Sequence, residues 1–85
     1  MEFQQLHYFQ RAAQIQHMSR AAEELNITQP ALSRTIGRLE SELGVPLFDR
    51  KGRQIKLNQY GQIFLEHLEK AHIELTEAKR KIQDL

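Results

Sequence analysis

The sequence predicts a mainly α fold, a winged helix-turn-helix of three helices and a short two-stranded wing, followed by one long helix. Three observations predict it. Residues 19–39 read as two short helices joined by a tight turn at Asn26-Ile27. After the run Asp49-Arg50-Lys51-Gly52-Arg53-Gln54, Ile55 and Leu57 alternate with Gln54 and Lys56, the period of a strand with one buried face. From Gly61 onward, Phe64, Leu68, Ala71, Leu75, Ala78, Ile82 and Leu85 recur at spacings of 3 and 4 without a break, an a/d heptad seam. Residues 1–58 then form one domain, with the helix-turn-helix at about 18–37 and the wing at about 48–57. Residues 59–85 form a helix suited to dimerisation.

Composition sets limits on function. A chain of 85 residues allows one small domain, burying about 60% of its unfolded surface. The sequence has no Cys, so neither a disulfide framework nor a thiolate metal site is expected, and a cytoplasmic setting fits. The opening MEFQQLHYF has no basic region and no apolar run, so it does not read as a signal peptide. No stretch approaches the ~18 apolar residues of a membrane span, and no membrane partner is expected. Net charge is only +1, a weak argument for nucleic acid. Its distribution says more. Residues 1–58 carry eight Lys/Arg against six Asp/Glu, whereas residues 59–85 carry four against five. Half of the eight lie between Arg50 and Lys56. Binding to a polyanion would come from local clusters, in two copies.

The first helix is expected over residues 2–15. Phe3, Leu6, Phe9 and Ala13 make one apolar stripe, widened by Tyr8 and Ala12, and Glu2 suits the positive end of the helix dipole. Gln16-His17 ends it, with His17 a plain turn residue and Met18 plugging the core. Ser19 is expected to cap the second helix, which runs through Leu25. Small Ala21 and Ala22 let two helices cross closely. Asn26 is expected at positive φ, since Asn is one of the few non-Gly residues that tolerates it. Thr28 then caps the next helix, and Pro30 falls in its first turn, where a missing N–H is harmless. These are the marks of a helix-turn-helix whose second helix enters a DNA major groove.

That second helix has two faces. Leu32, Ile36, Leu39 and Leu43 line the side that must bury. Gln29, Pro30, Ser33, Arg34 and Gly37 line another, with an amide, a hydroxyl and a guanidinium but no carboxylate. A face free of acids suits approach to phosphates. Gly44 ends the helix. Val45-Pro46-Leu47-Phe48 runs extended, and Leu47 and Phe48 close the core. The basic hairpin follows, with Gly52 at its tip.

Asn58 is expected to cap the last helix, from 59 to about 84, roughly 39 Å long. So small a domain cannot bury the far half of such a helix, so the seam calls for a second chain, the alternative being a further domain outside this sequence. The dimerisation residues are Phe64, Leu68, Ala71, Leu75, Ala78, Ile82 and Leu85. Ala71 and Ala78 imply close helix approach.

Enzymatic chemistry finds little support. His67 and His72 flank Leu68-Glu69-Lys70-Ala71, but they are five apart, about 140° around a helix, where a zinc helix needs a spacing of four. No metal, cofactor or Gly-rich phosphate loop is expected, and no catalytic residue is assigned. A non-enzymatic alternative is a dimeric winged helix that binds only protein. The acid-free helix start and the basic wing argue against it.

The residues Leu6-His7-Tyr8-Phe9-Gln10-Arg11-Ala12-Ala13, Ser19-Arg20-Ala21-Ala22, Thr28-Gln29-Pro30-Ala31-Leu32-Ser33-Arg34, Leu39-Glu40, Leu43-Gly44 and Leu47-Phe48-Asp49-Arg50 resemble the N-terminal domain of LysR-type transcriptional regulators. The resemblance covers about residues 1–58 and continues into the linker helix. It implies a bacterial regulator that binds an interrupted palindrome in promoter DNA as a homodimer, its linker helices paired antiparallel. By position, Gln29, Pro30, Ser33 and Arg34 match the family's major-groove contacts, Arg50 and Arg53 its wing contacts, and Lys51 is a neighbour. Thr28, Ala31 and Arg38 are counted with them. Gln pairs bidentately with adenine and Arg with guanine, so Gln29 and Arg34 are the candidate base readers. Pro30 and Ala31 offer apolar contact to thymine methyls, and Thr28 and Ser33 suit phosphate. The family also implies a large effector-binding domain beyond this chain, so a small-molecule effector is expected only in the full-length protein. Position 37, often a long basic residue in the family, is Gly here.

Overall fold

The computed structural model describes residues 1–52 and 54–85. Its elements, in chain order, are α1 (Phe3–Ile15), α2 (Met18–Glu24), α3 (Gln29–Leu43), β1 (Phe48–Lys51), β2 (Gln54–Leu57) and α4 (Gln59–Gln83). The strands pair antiparallel with Phe48 opposite Leu57 and Lys51 opposite Gln54. Gly52 stands between them at φ 59°.

Each element starts and stops for a local reason. Gln5 Oε1 accepts the Glu2 N–H at 3.2 Å at the head of α1. Gln16 ends α1 in the left-handed region at φ 55°. The cap of α2 differs from expectation. His17, read as a plain turn residue, is the N-cap, its Nδ1 accepting the Arg20 N–H at 3.2 Å, and Ser19 lies inside the first turn. The helix begins two residues early, with Met18 buried in the core at its first position. Asn26 takes φ 58°, as its side chain allows. Thr28 Oγ1 accepts the Ala31 N–H at 3.2 Å and Gly44 closes α3 at φ 80°.

The core forms where α1, α2 and α3 meet. Phe9, Ala12, Ala21, Leu32, Ile36 and Leu39 are fully buried, and Leu47, Phe48 and Ile55 seal it from the wing side. Phe9 is the hub, with ring centroids 5.5 Å from Phe48 and 5.3 Å from Phe64, which ties the wing and α4 to α1. Ala12 on α1 and Ala21 on α2 are fully buried where the helices meet. The α1 stripe starts later than its period suggests. Phe3 is 81% exposed and sits on the rim of a shallow groove with Leu6, Leu68, Ala71 and Leu75.

The wing is anchored at its root. The Ile55 N–H reaches the Gln16 carbonyl at 3.4 Å, and His17 bridges to Gln54. At the junction with α4, the Asn58 N–H donates to the Leu47 carbonyl at 3.0 Å, its amide donates to the Pro46 carbonyl at 2.8 Å, and its Oδ1 accepts the Gly61 N–H at 2.9 Å. Gly61, read as the first residue of the seam, is buried against the chain's own Leu47. Phe64, Leu65 and Leu68 likewise pack on the core. Beyond Leu68 the helix no longer packs on the core, although Ala71, His72 and Leu75 still line the groove with α1, and the molecule measures 50 × 27 × 19 Å along its principal axes.

Candidate nucleic-acid interface

The sequence of α3 makes its N-terminal half a presented surface. Leu32, Ile36 and Leu39 are each fully buried, which fixes the rotation of the helix. Fixing that rotation turns Gln29, Pro30, Arg34 and Arg38 to solvent, with Ala31 half-buried beside them. Thr28 is exposed but its hydroxyl oxygen is engaged by the cap. The helix dipole adds positive potential at the same end, although Pro30 has no N–H and those of Ala31 and Leu32 are bonded to Thr28.

Cations are left unneutralised on this side. Among the described residues, Arg20, Arg34, Arg38, Lys51 and Lys56 form no ion pair. Arg11 differs, because it pairs with Glu24 between α1 and α2. Arg34 and Arg38 lie one turn apart on α3, and Lys51 is exposed at the end of β1. An exposed amide, two free guanidiniums and an ammonium along one helix and its wing can meet base edges and phosphates together.

Two expected site residues sit differently. Ser33 is half-buried, and its Oγ accepts a hydrogen bond from Arg50 Nη1 at 3.0 Å. Arg50 therefore points back to α3 and not away from the wing. Its Nη2 lies 4.0 Å from Glu40 Oε1. Arg53 lies outside the described residues. Glu40 is the residue that sequence reasoning missed. Its Oε2 accepts the Leu47 N–H at 2.7 Å, so it ties the chain entering the wing to the recognition helix. The available signal was slight, an acid one turn before Gly44 where the chain reverses toward Pro46 and leaves a backbone N–H without a sheet partner.

Gly37 lies on this face, and a Cβ built there meets nothing within 4 Å. The small residue is not required by packing inside the protein.

No helix among the described residues is long and apolar enough to cross a membrane, and no group of three or more His, Asp or Glu among them could hold a metal ion.

Comparison with known proteins agrees with this geometry. Residues 3–62 match the model of the bacterial regulatory helix-turn-helix proteins of the lysR family. The chain is 60% identical over 85 residues to the HTH-type transcriptional regulator YybE of Bacillus subtilis, covering all of this chain and 29% of that protein. It is 45% identical over 84 residues to the transcriptional dual regulator GltC of the same organism, covering 99% of this chain and 28% of that one. The chain thus spans under a third of the length of these relatives. Among solved structures, it resembles the DNA-binding domain of CbnR in complex with DNA, at TM-score 0.88 and 34% identity, covering 99% of this chain and 97% of that one. The DNA-binding domain of BenM on benA site 1 DNA gives TM-score 0.87 and 33% identity, covering 99% and 94%. On the helix-turn-helix match and on these relatives, the chain belongs to the LysR family of bacterial transcriptional regulators.

Proposed function

We propose that this chain is the sequence-specific DNA-binding domain of a bacterial transcriptional regulator, and that it binds an interrupted palindromic promoter site as a homodimer. One observation carries the reading. Gln29, Arg34 and Arg38 stand exposed on a helix whose opposite face, Leu32, Ile36 and Leu39, is fully buried. Gln29 at the helix start and Arg34 further on read bases. Pro30 and Ala31 contact thymine methyls, and Thr28, Arg38, Lys51 and Arg53 meet the backbone or minor groove. The CbnR and BenM domains in the complexes above carry the same fold on DNA.

The paired form is supported by α4, whose Leu75 and Ile82 are exposed along one stripe, while Leu85, expected on the seam, lies beyond the end of the helix at Gln83. Apolar side chains in a row on a helix that no longer packs on the core favour a second copy. The chain acts in the cytoplasm with its DNA, and it is a regulator and not an enzyme, as its relatives are.

Selection of bound duplexes from random DNA tests the reading. The expected product is a two-fold site with half-sites spaced near a multiple of ~10.5 bp. Recovery of no enriched site, with binding insensitive to salt, contradicts it.

A further inference from the structure

Arg50 occupies the first wing strand, where a free cation would face a phosphate, yet its guanidinium is already engaged. Nη1 donates to Ser33 Oγ at 3.0 Å and Nη2 faces Glu40 at 4.0 Å. Glu40 is itself fixed by the Leu47 N–H at 2.7 Å, three residues before Arg50. One carboxylate on α3 thus holds both the entry to the wing and the side chain that reaches back from it. The link has a second effect. Because Ser33 Oγ accepts from Arg50, its own proton remains to be donated outward. Thr35 on the same helix differs, since its hydroxyl donates to the Ala31 carbonyl at 3.0 Å.

We propose that Arg50 is a positioning residue for DNA recognition, resting on the DNA-binding reading above. It sets the wing against α3 and orients the Ser33 hydroxyl as a donor to an acceptor on the DNA. It does not neutralise a phosphate. The role suits a planar fork, because the two Nη groups of one guanidinium face Ser33 and Glu40 in a fixed geometry that a flexible ammonium does not hold.

The test compares the 85-residue chain with Arg50→Lys, Arg50→Met, Ser33→Ala and the Ser33→Ala/Arg50→Met double variant. Each is titrated against the selected duplex and a shuffled one over a range of salt. Both Arg50 variants should lose about tenfold on the selected duplex, the size expected for a charged hydrogen bond. Their affinity for the shuffled duplex and their slope of log K against log salt should stay at wild-type values. The double variant should bind no more weakly than Arg50→Met, because both changes break one link.

A drop of about 0.9 in the salt slope for Arg50→Met, restored by Arg50→Lys, overturns the proposal and makes Arg50 a phosphate contact. Equal losses on both duplexes, or additive losses in the double variant, overturn it as well. If Arg50→Met does not fold, Arg50→Lys decides alone, because it keeps the charge and removes the fork. A wild-type chain with no salt-sensitive preference defeats the DNA-binding reading itself, an outcome separate from any result on Arg50.

Discussion

At the scale of single residues, α3 divides into side chains that hold and side chains that read. Leu32, Ile36 and Leu39 hold, being wholly buried, and Gln29 and Arg34 are free. Gln29→Ala or Arg34→Ala should weaken binding to the selected site by roughly 1–3 kcal/mol and blur its base preference at one position. A truncation that leaves both affinity and preference intact, measured by competition with single-base variants of the site, removes that residue from the groove. Gly37 makes a separate prediction. Its missing side chain serves no packing need, since a Cβ there meets nothing within 4 Å, and the backbone is helical. Gly37→Ala should therefore stabilise the fold by up to about 1 kcal/mol through the unfolded chain's lost freedom. Thermal melting checks this, and a fall in melting temperature contradicts it. Any loss of DNA affinity in that variant reports how closely the helix backbone approaches the duplex at position 37.

At the scale of elements, the joints between helices and wing decide the geometry. Gly61 is the tightest of them, because a Cβ there would lie 2.2 Å from the Leu47 carbonyl oxygen and 2.6 Å from Leu57 Cδ2. The same carbonyl accepts the Asn58 N–H, so it cannot simply move aside. Gly61→Ala should destabilise by about 1–3 kcal/mol and lift the root of α4 from the wing. Urea unfolding measures the first effect, and wild-type stability in that variant would falsify the close approach. Such joints mark the limit of what sequence could tell. Caps with a chemical signature were legible, as Thr28, Asn58, Asn26 and Gly44 illustrate, because hydroxyl, amide and left-handed backbones have local rules. His17 was not, since imidazole seldom caps, and the helix start was set by the burial of Met18 and not by Ser19's hydroxyl. Phe3 fitted the period of α1 but lies outside the reach of the core, which is a matter of where α4 crosses. Glu40 and Arg50 meet only through the fold, 10 residues apart across a reversal at Gly44. No local pattern announces such a pair.

At the scale of the whole molecule, α4 is longer than the domain that supports it. Its 25 residues extend about 38 Å, and only the first part, through Leu68, packs on the core. The remainder is held locally, with Arg80 bonded to Glu77 at 2.9 Å and Asp84 at 3.3 Å, while Leu75 and Ile82 are 60% and 70% exposed. Exposed ion pairs on one turn contribute little, so the order of this half depends on an apolar partner. Two copies joined along Ala71, Leu75, Ala78 and Ile82 would supply one, with the alanines allowing close approach. The pairing would also set the separation of two recognition helices. Leu75→Glu and Ile82→Glu place carboxylates on that seam without touching the core, so each domain should fold as before. Sedimentation should show the wild type as a dimer and the double variant as a monomer. Affinity for a single half-site should be unchanged, whereas affinity for the full palindrome should fall by about 10²–10⁴, the advantage of binding two linked sites. Retained dimers in the double variant place the interface on another surface, and the apolar cleft of Val45, Tyr60, Ile63 and His67 at the root of α4 becomes the next place to mutate.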